Sequence, residues 1–345
     1  MTTTTTGDQL ERVPITELAT RPDPADWHAA LRALGTHARG GQWIVSTPPD
    51  VAAALIAPGL RVIPPPAGGG PAADLVARMA RFCDGKEHRR RRALTVRLLP
   101  PVAEVAGQAA RRTARYLLER AAADVLDVMP LARTVPAGAL ARTMGLSGPH
   151  AASAANLTGR LSDALLFAPP GPVPAQACDA DEAASQLCAA LGPLELTGED
   201  GVAAAASVLF QARDATAALI GAAVLAAPRG ESGQADRVEA VLRRHAPVQC
   251  TRRVAVADTT IGAAVIPRGS DVWIFVAAAE PGSGIPASFG SGPHACPAAA
   301  TASAIARAVV TVLEAGGWRP VAGQRIDYEP RPSLRLPCHV LVSRG

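Results

Sequence analysis

The sequence has few aromatic residues, which make up 3% of its 345 residues, although 48% of the chain is hydrophobic. Alanine, leucine and valine must therefore form most of the core, and this composition favours helices. Lysine is nearly absent: Lys86 is the single lysine, so almost all of the positive charge is arginine. We interpret this bias as that of a GC-rich, bacterial genome and not as function. The net charge of +4 is small and the arginines are dispersed, so nothing indicates nucleic-acid binding.

The cysteines lack the paired spacing of a zinc site or a disulfide framework, and a reducing cytosol is the simpler interpretation. The first nine residues are polar and threonine-rich, without the charged start and apolar core of a signal peptide. The longest apolar region, residues 202–227, is interrupted by Gln211, Arg213 and Asp214, which predicts a buried helix and not a membrane span. The sequence therefore predicts a soluble, cytoplasmic protein. Its cysteines are Cys83, Cys178, Cys188, Cys250, Cys296 and Cys338.

The length fits one large domain or two small ones. We expect residues 1–25 to form a flexible arm and residues 26–345 to form a single domain. Helical patterns cover most of the chain, with the longest helix at 202–226 and several shorter helices between 124 and 200. Alternation predicts strands at 254–266 and 271–275, and proline and glycine predict a loop at 60–70. The predicted fold class is mostly α with small β-sheets.

One cysteine stands at the end of a glycine-bent loop, in the sequence Phe-Gly-Ser-Gly-Pro-His-Ala-Cys at residues 289–296. An alanine-rich helical run, predicted from Cys296 to residue 315, follows it. A thiolate is favoured near a helix N-terminus, where backbone N–H groups and the helix dipole lower its pKa. The loop glycines let the backbone approach a flat ligand, and Phe289 can shield the sulfur from water. Cys296 is therefore a candidate metal ligand, the alternative being an ordinary buried thiol after a turn.

These residues resemble the heme-binding loop of cytochrome P450, whose pattern is Phe-Gly-x-Gly-x-His-x-Cys-x-Gly. Every fixed position matches except the last, where Ala298 replaces glycine. The resemblance extends over most of the chain from about Trp43 onward. It implies a cytochrome P450 fold, trimmed in length, that binds heme b with Cys296 as the axial iron ligand.

The resemblance also implies cationic side chains for the two heme propionates. His88 and Arg92 are spaced i, i+4 and share one helix face, as the matching pair does in cytochromes P450. Arg253 matches a further propionate arginine, and His294 is another candidate. A charged run is more often a solvated face, and we adopt that interpretation for Arg89 and Arg91.

The long helix resembles the distal helix of the family, whose usual core is Ala-Gly-x-(Asp/Glu)-Thr. Asp214 takes the acid position and Ala215 stands in place of the threonine, which serves proton delivery in the family. Thr216 is one residue further, about 100° around the helix. The sequence leaves two interpretations of Asp214 open: a catalytic acid, or a carboxylate that merely pairs with a nearby arginine.

Two other motifs depart from the family pattern. The usual Glu-x-x-Arg pair retains Arg243, but Ala240 replaces the glutamate. Glu239 lies i−4 from Arg243, so we expect it to be the substitute partner of a buried arginine; the alternative is that Arg243 reaches solvent. The connection at residues 276–288 is also shorter than the usual meander.

The leading hypothesis is a heme-thiolate enzyme of the P450 type that oxidises a small organic or peptide-like substrate in bacterial specialised metabolism. Ferredoxin and ferredoxin reductase are its candidate electron donors, and residues 150–200 should form a mobile cover over the substrate. A second hypothesis keeps the heme without normal oxygen activation, as a peroxygenase, cyclase or dehydratase. A third is a non-catalytic, P450-like partner protein, although such relatives tend to lose the cysteine.

Overall fold

The structure is a computed structural model that describes residues 13–21, 24–64, 69–121, 123–166, 174–226, 237–244, 246–279 and 287–344. Helices predominate in these ranges, in agreement with the alanine-rich composition. The helices are α1 (Pro24–Leu34), α2 (Pro48–Ile56), α3 (Pro71–Ala77), α4 (Gly85–Leu98), α5 (Ala103–Glu119), α6 (Val128–Thr143), α7 (Gly148–Leu166), α8 (Pro174–Ala190), α9 (Gly198–Leu225), α10 (Arg237–Arg244) and α11 (Ala299–Ala315).

In the described ranges, ten short strands form three small sheets. They are β1 (His37–Arg39), β2 (Gln42–Val45), β3 (Leu60–Val62), β4 (Val125–Asp127), β5 (Thr251–Ala255), β6 (Thr259–Ile261), β7 (Ala264–Ile266), β8 (Asp271–Ile274), β9 (Trp318–Pro320) and β10 (Leu341–Arg344). The largest sheet has the order β1-β2-β8-β5-β3, in which β2 and β8 pair in parallel and the other neighbours are antiparallel. The others have the orders β4-β10-β9 and β6-β7.

The contacts within the chain define two compact units, each assembled from separate segments. The sheet unit comprises Met1–Ile63, Glu239–Cys296 and Asp327–Cys338, and the helical unit comprises Pro64–Val238, Pro297–Ile326 and His339–Gly345. The five-stranded and two-stranded sheets belong to the first unit, together with α1 and α2. Helices α3 to α9 and α11 belong to the second, together with the three-stranded sheet.

Both faces of the five-stranded sheet are covered in the sheet unit. Val45 and Ile274 pack against α2 on one face, while Ile44 and Trp273 on the other face belong to a cluster with Trp27 and Leu31 of α1. A strand buried on both faces lacks polar alternation, so β8 is a continuous apolar run after Asp271 and not the alternating strand that the sequence predicted at 271–275.

The N-terminal segment joins this core in part. A 3₁₀ helix at Ile15–Thr20 buries Ile15, Leu18 and Ala19, and the first two belong to the cluster of Trp27. Residues 13–21 of the predicted arm therefore pack against the sheet unit through apolar side chains, and the division into an arm and a single domain stays a prediction. Residues 1–12 and 22–23 lie outside the described ranges.

Small side chains allow close packing in the helical unit. Helix α9 packs against α6, α4 and α7, and α5 packs against α11. At Gly107 of α5 an added Cβ would lie 3.4 Å from the carbonyl oxygen of Ala304, so the two backbones approach closely. Helix α9 is apolar enough to cross a membrane by length and composition, but 72% of its most apolar window is buried, which confirms the prediction of a core helix.

Two predictions about elements were wrong. The predicted loop at 60–70 contains strand β3, which pairs with β5. Helix α11 begins at Ala299 and not at Cys296. The several shorter helices predicted between 124 and 200 are confirmed as α6, α7 and α8, of 16, 19 and 17 residues, against 28 for α9.

Candidate functional site

The cysteine loop is closed by its own backbone. The N–H of Cys296 donates to the carbonyl oxygen of Phe289 at 2.8 Å, and the N–H of Ala295 donates to that of Gly292 at 3.1 Å. Short 3₁₀ turns at Ala287–Phe289 and Gly292–His294 lead into the cysteine. The side chain of Cys296 is exposed, while Phe289 and His294 are half-buried. The interpretation of Cys296 as a buried thiol is therefore excluded.

Both loop glycines adopt a left-handed backbone. Gly290 has a φ of +67° and Gly292 a φ of +69°, a region that side chains rarely enter. An added Cβ at Gly292 would also lie 2.6 Å from Cγ2 of Ile56 on α2. The glycine spacing of the motif is thus required by the conformation of the loop, and Gly292 is required by packing as well.

Ala298, the one departure from the loop pattern, has a backbone conformation that alanine can adopt. Ala298 has a φ of −111° and a ψ of 21°, and its carbonyl oxygen accepts the N–H of Ala302 at 2.8 Å in the first turn of α11. Any L-residue adopts this conformation. The backbone here has no need of glycine, so alanine causes no strain.

The four predicted propionate ligands divide between the two units. His88 is buried and Arg92 is half-buried on α4, in the helical unit. Arg253 is buried on β5 of the sheet unit, where its Nη1 donates to Oγ1 of Thr251 and to the carbonyl oxygen of Arg252, both at 2.8 Å. His294 stands in the cysteine loop. Their role toward propionates stays a prediction.

Arg89 and Arg91 of α4, both predicted to face solvent, differ in their exposure. Arg89 is exposed, as a solvated face predicts. Arg91 instead bonds through Nε to Oε1 of Glu87 and through Nη1 to the carbonyl oxygen of Ala77, at 2.5 Å each, and its side chain is largely buried. The solvated interpretation is therefore wrong for Arg91, which connects α4 to the end of α3.

Three residues of α9 were predicted to act on the distal side. Nη1 of Arg213 lies 2.7 Å from Oδ1 of Asp214, and both side chains are only 8% exposed. Ser162 of α7 donates to Oδ2 of Asp214 at 2.8 Å. Ala215 is half-buried and Thr216 is buried. The arginine pairing that the sequence left open is thus present, and a catalytic role of Asp214, Ala215 and Thr216 stays a prediction.

The predicted pairing of Arg243 with Glu239 is confirmed, but the predicted burial of Arg243 is not. Oε1 of Glu239 accepts from Nη2 of Arg243 at 2.6 Å and from Nε at 3.0 Å, within α10. Both side chains are 46% exposed, so the expectation of a buried arginine is wrong. Arg243 pairs with Glu239 and also reaches solvent.

Sequence reasoning missed the contribution of α7. Arg213 was noted only as an interruption of an apolar run, and Ser162 and Asp163 were not selected. The available signal was a charged pair, Arg213 and Asp214, in the middle of a mostly apolar helix, because such charges need partners when they are buried. Identifying those partners required the packing of two helices that are about 50 residues apart along the chain.

The residues present fit a heme held by one sulfur. The loop presents an exposed thiol, its backbone is bent by glycines that permit close approach, and the predicted cations include two that are buried. A single thiolate donor suits heme iron, because the porphyrin supplies most of the other ligands.

Comparison with known proteins identifies the fold. No protein-family model and no curated protein matches the sequence. Among solved structures, P450BioI, crystallised with a hexadec-9Z-enoic acid ligated acyl carrier protein, is 19% identical with a TM-score of 0.78, covering 94% of this chain and 99% of that one. CalO2 is 20% identical with a TM-score of 0.78, covering 96% and 98%. CYP109B1 from Bacillus subtilis is 18% identical with a TM-score of 0.75, covering 93% and 99%.

The chain therefore has the cytochrome P450 fold, which confirms the fold class implied by the cysteine loop. The likeness extends over nearly the whole chain. The shortened connection noted in the sequence falls largely on residues 280–286, which lie outside the described ranges.

Proposed function

We propose that this protein is a heme-thiolate enzyme of the P450 type, which oxidises a small organic or peptide-like substrate in bacterial specialised metabolism. The observation that carries the proposal is the closed loop that presents the exposed Cys296 thiol within a P450 fold. A structural thiol would be buried, whereas a reactive or ligating thiol is accessible.

Each predicted site residue has one task in this proposal. Cys296 holds the iron of heme b, and Phe289 shields its sulfur from water. His88, Arg92, Arg253 and His294 bind the propionates. When bound, the heme supplies the oxidation chemistry, which the thiolate promotes by donating electron density that favours O–O cleavage. The protein binds and orients the substrate and controls access of water and protons.

A second candidate function keeps the heme but omits normal oxygen activation. The observation that favours it is on α9, where Ala215 carries no hydroxyl and both oxygens of Asp214 already accept hydrogen bonds, from Arg213 and Ser162. A carboxylate held in this way is poorly placed to pass protons onward. In this form the enzyme would use peroxide, or would catalyse a cyclisation or dehydration.

The electron donors and the form of the substrate are part of the proposal. Ferredoxin and ferredoxin reductase would serve the oxygen-dependent form. The complex of P450BioI with an acyl carrier protein ligated to hexadec-9Z-enoic acid supports the proposal that the substrate of this chain is borne on a protein. Carrier-bound substrates therefore belong in a substrate screen beside free ones. A non-catalytic partner protein is disfavoured by the accessible Cys296.

Heme reconstitution tests the proposal. The purified chain should bind one equivalent of added hemin, and Cys296→Ala should weaken that binding and change the spectrum of the complex. Cys178 is also exposed, so Cys178→Ala is the matched control and should bind hemin as wild type does. If hemin does not bind to the wild type, both enzymatic forms fail and the partner-protein hypothesis leads.

Ala215→Thr distinguishes the two enzymatic forms. Turnover of a surrogate substrate should be compared in wild type and variant, first with ferredoxin, its reductase and oxygen, and then with peroxide. We expect poor coupling of reducing equivalents in wild type, improved coupling in Ala215→Thr, and well-preserved peroxide turnover in both. Tight oxygen coupling in wild type that the variant does not change would assign the proton path to other groups.

A further inference from the structure

A cluster of four polar side chains connects α7 to α9. Arg213 and Asp214 lie on α9, and Ser162 and Asp163 lie on α7. The guanidinium of Arg213 bonds Asp163 through two nitrogens, Nη1 to Oδ1 at 3.0 Å and Nη2 to Oδ2 at 3.2 Å. Nη1 also donates to Oδ1 of Asp214 at 2.7 Å, and Ser162 donates to Oδ2 of Asp214 at 2.8 Å. Both residues of α7 therefore bond to the charged pair of α9.

The packing of α7 leaves room for this guanidinium. Gly159 lies one turn before Asp163, and an added Cβ there would be 3.4 Å from both Nε and Nη2 of Arg213. The planar guanidinium thus lies against a glycine while its fork faces the Asp163 carboxylate. Two parallel N–H···O bonds of this kind fix the orientation of the guanidinium relative to the carboxylate as well as the distance between them. The contact is specific to an arginine, because a lysine presents only a point charge.

The two halves of the cluster differ in exposure. Arg213 and Asp214 are each 8% exposed and belong to the same helix, so they remain paired whatever α7 does. Asp163 is 48% exposed, and its bonds to Arg213 run between the two helices. Separation of α7 would therefore break the solvent-side bonds without leaving an isolated buried charge on α9, which keeps the energetic cost of opening moderate.

We propose that Arg213 is a positioning residue that latches α7 to α9 through Asp163 and thereby sets the environment of Asp214. With α7 docked, the Asp214 carboxylate accepts from both Arg213 and Ser162. When α7 moves away, Asp163 and Ser162 leave together, while Asp214 keeps its bond to Arg213. The position of the cover helix and the hydrogen bonding of the acid position are then coupled. This inference rests on the proposed function, in which α7 belongs to the substrate cover.

Hydrogen–deuterium exchange tests the latch without any heme. Asp163→Ala removes a half-exposed side chain and should fold. Exchange in α7 peptides should accelerate about five- to tenfold, while peptides of α5 and α11 exchange as in wild type. Asp163→Glu should restore most of the protection. Asp179→Ala is the matched control, because it removes another exposed ion pair of α7, between Arg160 and Asp179 of α8. Equal α7 exchange in wild type and Asp163→Ala overturns the latch.

Imidazole binding to the heme-loaded protein tests the coupling to access. The association rate of imidazole should rise about five- to tenfold in Asp163→Ala and stay at the wild-type value in Asp179→Ala. An unchanged rate beside accelerated exchange would show that α7 does not control access, and would overturn its role as a cover. Failure of the chain to bind heme would refute the proposed function, and the latch would then stand or fall on the exchange result.

Discussion

Single residues of the cysteine loop show why a short motif carries so much information. Gly290 and Gly292 occupy left-handed backbone, which few other residues adopt, so their spacing predicts the bend directly. Ala298 departs from the motif without consequence for the backbone, because its φ is negative. The partner of Arg243 could also be predicted, since i, i+4 spacing brings Glu239 to the same face. The exposure of Arg243 could not be predicted, because exposure depends on residues that are distant in sequence.

Gly292→Ala should destabilise the protein. It would force an L-residue into a left-handed conformation and place a Cβ 2.6 Å from Ile56. We expect a loss of about 1–3 kcal/mol in the free energy of unfolding, measured by urea denaturation. Ala298→Gly is the control and should stay within about 0.5 kcal/mol of wild type, because glycine is accepted at a helix N-cap. A Gly292→Ala protein as stable as wild type would contradict the conformational argument.

Glu239→Ala should have little effect on stability. The Glu239–Arg243 pair is half-exposed and contained in one helix, so its loss should cost at most about 0.5 kcal/mol. Asp214→Ala provides the contrast, because it removes the buried partner of Arg213 and leaves only the half-exposed Asp163, which should cost about 1–3 kcal/mol. A loss above about 1 kcal/mol in Glu239→Ala would show that Arg243 depends on Glu239 more than its exposure indicates.

At the scale of elements, a long apolar run predicted α9, and prolines and glycines correctly separated the shorter helices α6 to α8. Pro136 lies inside α6, where tertiary packing outweighs the missing N–H bond. Strand β3 was missed because three residues give no periodic signal, and only its pairing with β5 defines it. Helix-to-helix partners such as Arg213 and Asp163 were likewise beyond the reach of local patterns.

Helix α3 should depend on α8 for its N-terminal cap. Oδ1 of Asp181 accepts the N–H of Ala72 at 2.9 Å, and Gly70, with a φ of +111°, leaves room for that carboxylate. Asp181→Ala should accelerate hydrogen–deuterium exchange in residues 71–77 and cost about 1 kcal/mol. Asp179→Ala, at an exposed ion pair two residues away, should leave the exchange of α3 unchanged. Unaltered exchange in Asp181→Ala would refute the cap.

The ion pairs that Glu87 of α4 and Asp200 of α9 form with arginines of α4 should weaken in acid. Hydrogen bonds from Arg90 and then Arg91 lower the pKa of Glu87 from 4.5 to about 2, and a bond from Arg90 lowers the pKa of Asp200. A lowered pKa stabilises the folded state above the unfolded value and is lost as the pH falls toward the folded value. The difference in melting temperature between wild type and Glu87→Gln should therefore be constant above about pH 5 and shrink below pH 4.5. A difference that does not change down to pH 3 would contradict the ionised contact.

At the scale of the whole molecule, composition predicted a helical protein, and the cysteine loop predicted which helical fold. The solved structures that share this fold are only 18–20% identical to the chain in the three comparisons above, so few positions carry the family signal. Those positions are found where the backbone conformation or the packing admits few residue types, as at Gly292. The packing surfaces are built instead from interchangeable alanine, leucine and valine, and their arrangement into a sheet unit and a helical unit could not be predicted from them.

The measurement that tests thiolate ligation most directly is the absorption spectrum of the heme-loaded protein, reduced under carbon monoxide. We predict the red-shifted Soret band of a thiolate-ligated heme in wild type and in Cys178→Ala, and its loss in Cys296→Ala. A carbon-monoxide complex without the red shift, or a red-shifted band that persists in Cys296→Ala, would contradict the assignment of Cys296 as the iron ligand.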